Sequence, residues 1–271
     1  MNRGIMFKAA IELWPSTVFC GLLLFGTEAA LAYVIPTFQG QLSDSLLKIK
    51  FLQDFLGAML GVEITDQLGP EAFLAFPWVH PVVLTTVWAH ALLCCTRVPA
   101  GEIDRGTADV TMTLPVTRWG LLASETVVWM VAGIVVLLIG LGGNLFGGQF
   151  VAPDDRPNAW SMFIIQVNLY ALYLAVGAVA WFASTVCDRR GVAMSGVFVV
   201  LLASFLVNFL AQFWDVAERI AFLGLLHYYR PIFVLRDDLV PWRDLGVLAA
   251  VAAGMWMLAG VVFSRRDICT T

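Results

Sequence analysis

Six runs of apolar residues, near positions 16–35, 76–96, 119–147, 160–186, 192–213 and 245–263, dictate the solvent in which this chain folds. A helix of about 20 residues, rising 1.5 Å per residue, crosses a hydrocarbon core of roughly 30 Å, and each run is about that long or longer. Lipid offers no hydrogen bonds to the backbone, so such runs must satisfy their own as helices. Composition agrees, because 60% apolar and 13% charged residues leave a water-soluble body of 271 residues without enough polar surface to cover itself. The expected fold is an all-α integral membrane protein with six transmembrane helices, forming a single transmembrane domain over 1–271.

The remaining segments carry patterns of their own. Met1–Trp14 is apolar with a polar strip at Lys8 and Glu12, one helical turn apart, and Pro15 follows; this predicts an interfacial helix broken from span one. Glu28 interrupts the apolar region, which argues against cleavage as a signal peptide. Ser45–Leu60 places Leu52, Phe55, Leu56, Met59 and Leu60 at helical spacing, as an amphipathic surface helix would. The 214–244 connection carries Ile220–Leu226, His227-Tyr228-Tyr229 and Pro231, too apolar for a free loop, and reads as a re-entrant segment on the outer side. Trp119, Trp160, Trp181, Trp214 and Trp242 fall near span ends, where interfacial anchoring accounts for them.

Orientation follows from the short connections. Arg3, Lys8, Arg97, Arg105, Arg118, Arg189, Arg190, Arg265 and Arg266 all fall on one side of a six-span topology. The positive-inside rule makes that side the cytoplasm, so the expected localisation is the cytoplasmic (inner) membrane, multi-pass, with both termini cytoplasmic. A net charge of −4 with no basic stripe excludes a nucleic-acid footprint. Five cysteines at spacings unlike a metal site read as small apolar residues and a tail thiol, Cys269.

The most informative stretch connects spans two and three. Glu102-Ile103-Asp104-Arg105-Gly106-Thr107 is charged and short; Gly106 can end one helix, Thr107 can cap a helix beginning near Asp109, and Pro115 stops it before Arg118. A rigid short helix held at the membrane face can transmit motion from a motor to the spans. An ordinary interhelical loop would have the same residue types.

Glu102-x-x-Arg105-Gly106-Thr107 followed by Leu114-Pro115-Val116-x-Arg118 resembles the permease subunits of the ABC-2 class of ATP-driven transporters, including the group associated with maturation of copper enzymes. Phe55-Leu56-Gly57-x-Met59-Leu60-Gly61, the His80-Pro81 pair at span two and the ending Phe263-Ser264-Arg265-Arg266-Asp267 extend the resemblance over nearly the whole chain. It implies a six-span subunit, mostly found in exporters, that pairs with a second copy of itself and docks a separate ABC ATPase through Glu102, Arg105, Gly106, Thr107, Leu114, Pro115 and Arg118. No Gly-x-x-x-x-Gly-Lys-Ser/Thr loop is present, so ATP and magnesium belong to the partner ATPase, and this chain is expected to bind no cofactor and to be no enzyme by itself. A periplasmic or extracellular accessory protein is a further expected partner.

Polar groups inside the spans are candidates for a translocation pathway, because a carboxylate at the bilayer centre costs about 2.5–3.5 kcal/mol or more and is turned toward protein or water. Glu28, Asn168 and Asn208 fall at comparable depth from the outer ends of their spans; His90 and Glu125 are placed toward the cytoplasm, where the two are expected to pair. Interhelical hydrogen bonding without substrate explains the same residues. Gly140, Gly143 and Gly147 allow close helix approach, either within one subunit or between two. Three rival readings keep the same spans: a subunit that relays ATPase motion to an envelope partner, a stand-alone secondary transporter, and a membrane enzyme. The second would need an ion-coupling site or inverted repeat, and the third a cluster of His, Asp or Glu. Neither is visible in the sequence.

Overall fold

The computed structural model describes residues 2–46, 56–61, 70–113, 115–153 and 156–267. Helix α1 is Arg3–Leu46; α2 (Pro70–Val79) and α3 (Pro81–Cys95) follow. A tight turn, Arg97–Gly101, then leads into two short helices, α4 (Glu102–Asp104) and α5 (Ala108–Met112). The long helices α6 (Arg118–Gly148), α7 (Ala159–Val186) and α8 (Arg190–Leu210) come next. Helix α9 (Asp215–Ala221), a 3-10 turn (Leu225–Tyr228) and α10 (Pro231–Asp237) lead to the last helix, α11 (Trp242–Arg265). Six segments are long and apolar enough to span a bilayer: Arg3–Thr37, Glu71–Cys95, Arg118–Gly148, Ala159–Val186, Arg190–Leu210 and Trp242–Arg265. The chain is thus an all-α membrane protein, as its six apolar runs require, and no strand occurs among the described residues.

Two prolines act differently from expectation. Pro15 does not break α1, which continues through both Pro15 and Pro36. A proline removes one backbone hydrogen bond, here the one its amide would donate to the Ile11 carbonyl, and the intact bonds on either side carry the apolar helix through. Span two, by contrast, is two helices. Pro81 forbids the α conformation at His80, which sits at φ −58°, ψ 133°, and the His80 ring accepts the Val82 amide as a cap. The predicted surface helix over Ser45–Leu60 lies outside the described residues at 47–55; its last turn, 56–60, is helical.

Glycine decides the closest contact. Helices α1 and α6 run parallel, and a Cβ on Gly143 would lie 2.2 Å from the Phe25 carbonyl oxygen, one on Gly147 2.1 Å from that of Ala29. The stripe therefore brings α6 onto α1 of the same subunit. Helix α7 forms the centre of the bundle, packed by α3, α8 and α11. Trp181 is only 1% exposed, packed into that centre rather than anchored at an interface; Trp119, Trp160, Trp214 and Trp242 are exposed. The termini share one end: the Asn2 amide donates to Ser124 Oγ, near the start of α6, and Arg118 donates to the Arg266 carbonyl.

Candidate functional site

Most of the charged residues buried in the bundle gather at the end that carries the termini. Glu102 opens α4 and is 2% exposed; Arg97, in the preceding turn, is 4% exposed. Lys8 of α1 reaches Glu102 at 3.2 Å, Arg105 approaches the same oxygen at 3.2 Å, and Lys8 also lies 3.8 Å from Glu12. Arg97 pairs with both Glu12 and the buried Glu125 of α6. Three bases (Lys8, Arg97, Arg105) and three acids (Glu12, Glu102, Glu125) thus form one neutral chain of ion pairs across α1, the 97–105 segment and α6. Buried charges are tolerated only when paired and hydrogen-bonded, and this chain meets both conditions.

Electrostatics within it follow the contacts. Burial pushes the Glu102 carboxyl up, but hydrogen bonds from Thr107 and Lys8, with the charges of Lys8 and Arg105, outweigh it and hold the group below the ordinary glutamate value. Burial pulls Arg97 down, and the Glu125 and Glu12 carboxylates more than reverse that, so it stays a cation. Thr107 is the residue before α5, as its cap position predicts, yet its side chain does not cap the helix. Its hydroxyl donates to Glu102 instead. Gly106 takes φ +68°, the left-handed turn that ends the preceding helix and favours glycine.

Further hydrogen bonds hold the segment to the rest of the bundle. Arg190 donates to the Leu93 carbonyl at 2.8 Å and to Thr96 Oγ1 at 3.3 Å, and the Ala100 amide donates to Ser184 Oγ at 3.1 Å. Arg118 lies over the Phe263 ring, 5.7 Å from its centroid, and donates to the Phe263 carbonyl at 2.8 Å. Arg266 donates to the carbonyls of Thr185 and Cys187 and pairs with Asp188. Five helix ends, of α3, α6, α7, α8 and α11, are tied in one layer. What projects from it is Arg105, Gly106 and Thr107 and, on α5, Val110, an apolar side chain 70% exposed.

The sequence-derived coupling set therefore divides. Glu102 is buried and Arg118 holds the C-terminal helix, so both position the segment; Arg105, Gly106, Thr107 and Pro115 are at its surface, and Leu114 lies outside the described residues. The span residues also separate. Glu28, 1% exposed, accepts from Asn144 Nδ2 at 2.9 Å, whereas Asn168 donates to the Tyr228 carbonyl at 3.4 Å and Asn208 lines a cavity at the end opposite the termini. No hydrogen bond joins these three among the described residues. His90 does not pair with Glu125: its ring meets Thr17 Oγ1 and Tyr173 OH, each at 3.1 Å, while Arg97 reaches in from the connection and takes Glu125. Asn144 and Arg97 are the partners that sequence reading missed. Asn144 was visible as a polar residue in an apolar run, but nothing in one dimension couples it to Glu28.

Six helices able to span a bilayer, with a charged, ordered connection tied to their ends, define an all-α multi-pass membrane protein. Compared with known proteins, the chain belongs to the ABC-2 family transporter proteins, whose family model matches residues 13–268. It is thereby a membrane permease component of an ABC transporter. Neither a curated protein nor a solved structure matches it.

Proposed function

We propose that this chain is the membrane half of an ATP-driven exporter that works as two copies with a separate ATPase, and that the 97–118 segment is the ATPase dock. The ion network carries this reading. A loop that only connected two spans would not need a neutral chain of six charges, two of them on α1 and one on α6, to fix its position. The arginine-rich end would face the cytoplasm, in keeping with the positive-inside rule. ATP and magnesium, bound by the partner, would close the ATPase pair; the exposed Val110, Arg105 and Thr107 would move with it. Through Glu102–Lys8 and Arg97–Glu125 the displacement passes to α1 and α6, and through Arg118 to α11.

Within the membrane, the 214–244 connection is best read as re-entrant. Asn168, whose amide meets the Tyr228 carbonyl, is nine residues into α7, about 14 Å from its start. Glu28, Asn168, His90 and Glu125 each have protein partners, which favours interhelical bonding for them over substrate contact.

The test is co-purification, in mild detergent, of this chain with the ATPase encoded beside it. Wild type should retain a Walker-type ATPase, and Val110→Glu, which places a charge at the exposed apolar tip without touching the network, should lose most of it while the variant elutes as a folded species. Retention at wild-type levels by Val110→Glu and Arg105→Ala alike would place the dock elsewhere.

A further inference from the structure

The end opposite the termini holds a cavity of about 590 Å³ that the coupling mechanism does not use. Its volume is in the range of small-ligand sites. Asn208 and Gln212 line it from the end of α8; α9 contributes Asp215 and Glu218, and the segment before and within α10 contributes Arg230 and Arg236. His227 is also at the wall, and burial together with the charges of Arg230 and Arg243 lowers its pKa, so it is neutral near pH 7. The lining sets the two acids on one element and the two cations on another, and Asp237, paired with Arg236, adds a further negative charge beside it.

The cations are held in place. Arg230 donates to the His227 carbonyl at 2.8 Å and to its ring nitrogen at 3.0 Å, while Arg236 forms a two-bond ion pair with Asp237, at 2.8 and 3.2 Å, that leaves one guanidinium nitrogen unused. Both guanidinium groups lie against the Phe233 ring, at 5.5 and 4.9 Å from its centroid. Fixed planar guanidinium groups suit a phosphate. The acids differ: neither Asp215 nor Glu218 has an ion-pair partner among the described residues, and Trp214 stands beside them in the lining. Carboxylates beside an aromatic face suit an ammonium group. An anion lacking that group would meet the two acids uncompensated.

The source of such a ligand is indicated by Phe205 and Phe209 near the end of α8 and Phe213 just beyond it, whose successive ring centroids lie 6.5 and 5.6 Å apart, the first pair stacked and the second tilted. Phe213 lines the cavity, so an apolar track joins it to the span. We propose that this cavity binds the headgroup of an ammonium-bearing phospholipid, with phosphate on Arg230 and Arg236, ammonium on Asp215 and Glu218 beside Trp214, and acyl chains along the phenylalanine ladder. The site depends on the chain being a membrane protein and not on what it transports.

Native mass spectrometry of the full chain in detergent tests this with three probes: phosphatidylethanolamine, phosphatidylglycerol of the same acyl chains, and water-soluble glycerophosphoethanolamine. Wild type should retain phosphatidylethanolamine about fivefold over phosphatidylglycerol, the factor that an exposed ammonium contact of about 1 kcal/mol supplies. The double variant Asp215→Asn/Glu218→Gln should retain the two lipids equally, and Arg230→Gln/Arg236→Gln should retain less of both. All four residues lie at the cavity surface, and Glu218→Gln alone, which is at an exposed position, should already reduce the preference. Equal retention of the two lipids by wild type, or a preference unchanged in the double acid variant, would overturn the proposal. Binding of glycerophosphoethanolamine as tight as that of the lipid would overturn its membrane source.

Discussion

Replacing Arg97 with methionine keeps the apolar stem and removes the cation that Glu12 and Glu125 share. Glu12, its side chain 35% exposed, keeps Lys8 at 3.8 Å and some water; Glu125, its side chain 5% exposed, keeps no cation within ion-pair distance among the described residues. Removing one partner from a buried pair costs about 3–5 kcal/mol. A stranded carboxylate escapes by taking up a proton, which at pH 7 costs about 3.7 kcal/mol from a reference value near 4.3, and that bounds the penalty from above. A loss of about 3.5 kcal/mol, at about 2–4 °C per kcal/mol for a chain of this size, lowers the melting temperature by roughly 7–14 °C. Tryptophan fluorescence on heating in detergent would measure it. The double variant Arg97→Met/Glu125→Gln leaves no charge stranded and should recover most of the loss. A melting temperature within about 2 °C of wild type for the single variant, or a double variant no better than the single, would refute the claim that this network holds the connection.

Gly143→Ala and Gly147→Ala force a methyl against carbonyl oxygens on α1 and should each cost about 1–3 kcal/mol of thermal stability, whereas Gly142→Ala, which meets nothing within 4 Å, should be neutral in the same melt. Glu102 has its folded pKa below the ordinary value, so its contribution is fully present above about pH 4.3 and is lost as pH falls through the lower folded value. The stability difference between wild type and Glu102→Gln, measured from pH 7 down to pH 3, should therefore shrink only at the acid end; a difference that shrinks between pH 7 and 5 would assign it to another group.

The six spans, the boundaries of the last four to within a few residues and the presence of a short ordered connection at 102–112 were legible from sequence because each is a local property. Length of an apolar run and a glycine that can end a helix at Gly106 act through their nearest neighbours along the chain, whereas the break that Pro81 makes at His80 lies inside a run read as one span. Pro15 marks the limit of that reasoning. Its cost is set locally, but the packing of α1 along α6 decides whether the helix breaks, and it does not. Depth counting likewise put Glu125 near His90, without knowing that Arg97 would turn inward from the connection.

Sequence alone thus determined the solvent, the number of crossings and which short segment is structured, since lipid leaves a long apolar run no alternative to a helix. Tertiary structure decided which polar groups meet: Glu28 with Asn144, Arg97 with Glu12 and Glu125, Lys8 with Glu102. The physical reason is that these partners lie 116, 85, 28 and 94 positions apart, in that order, and ion pairs and hydrogen bonds act over a few ångströms. Helix packing, set in part by glycines that let α6 meet the α1 backbone, brings such residues together.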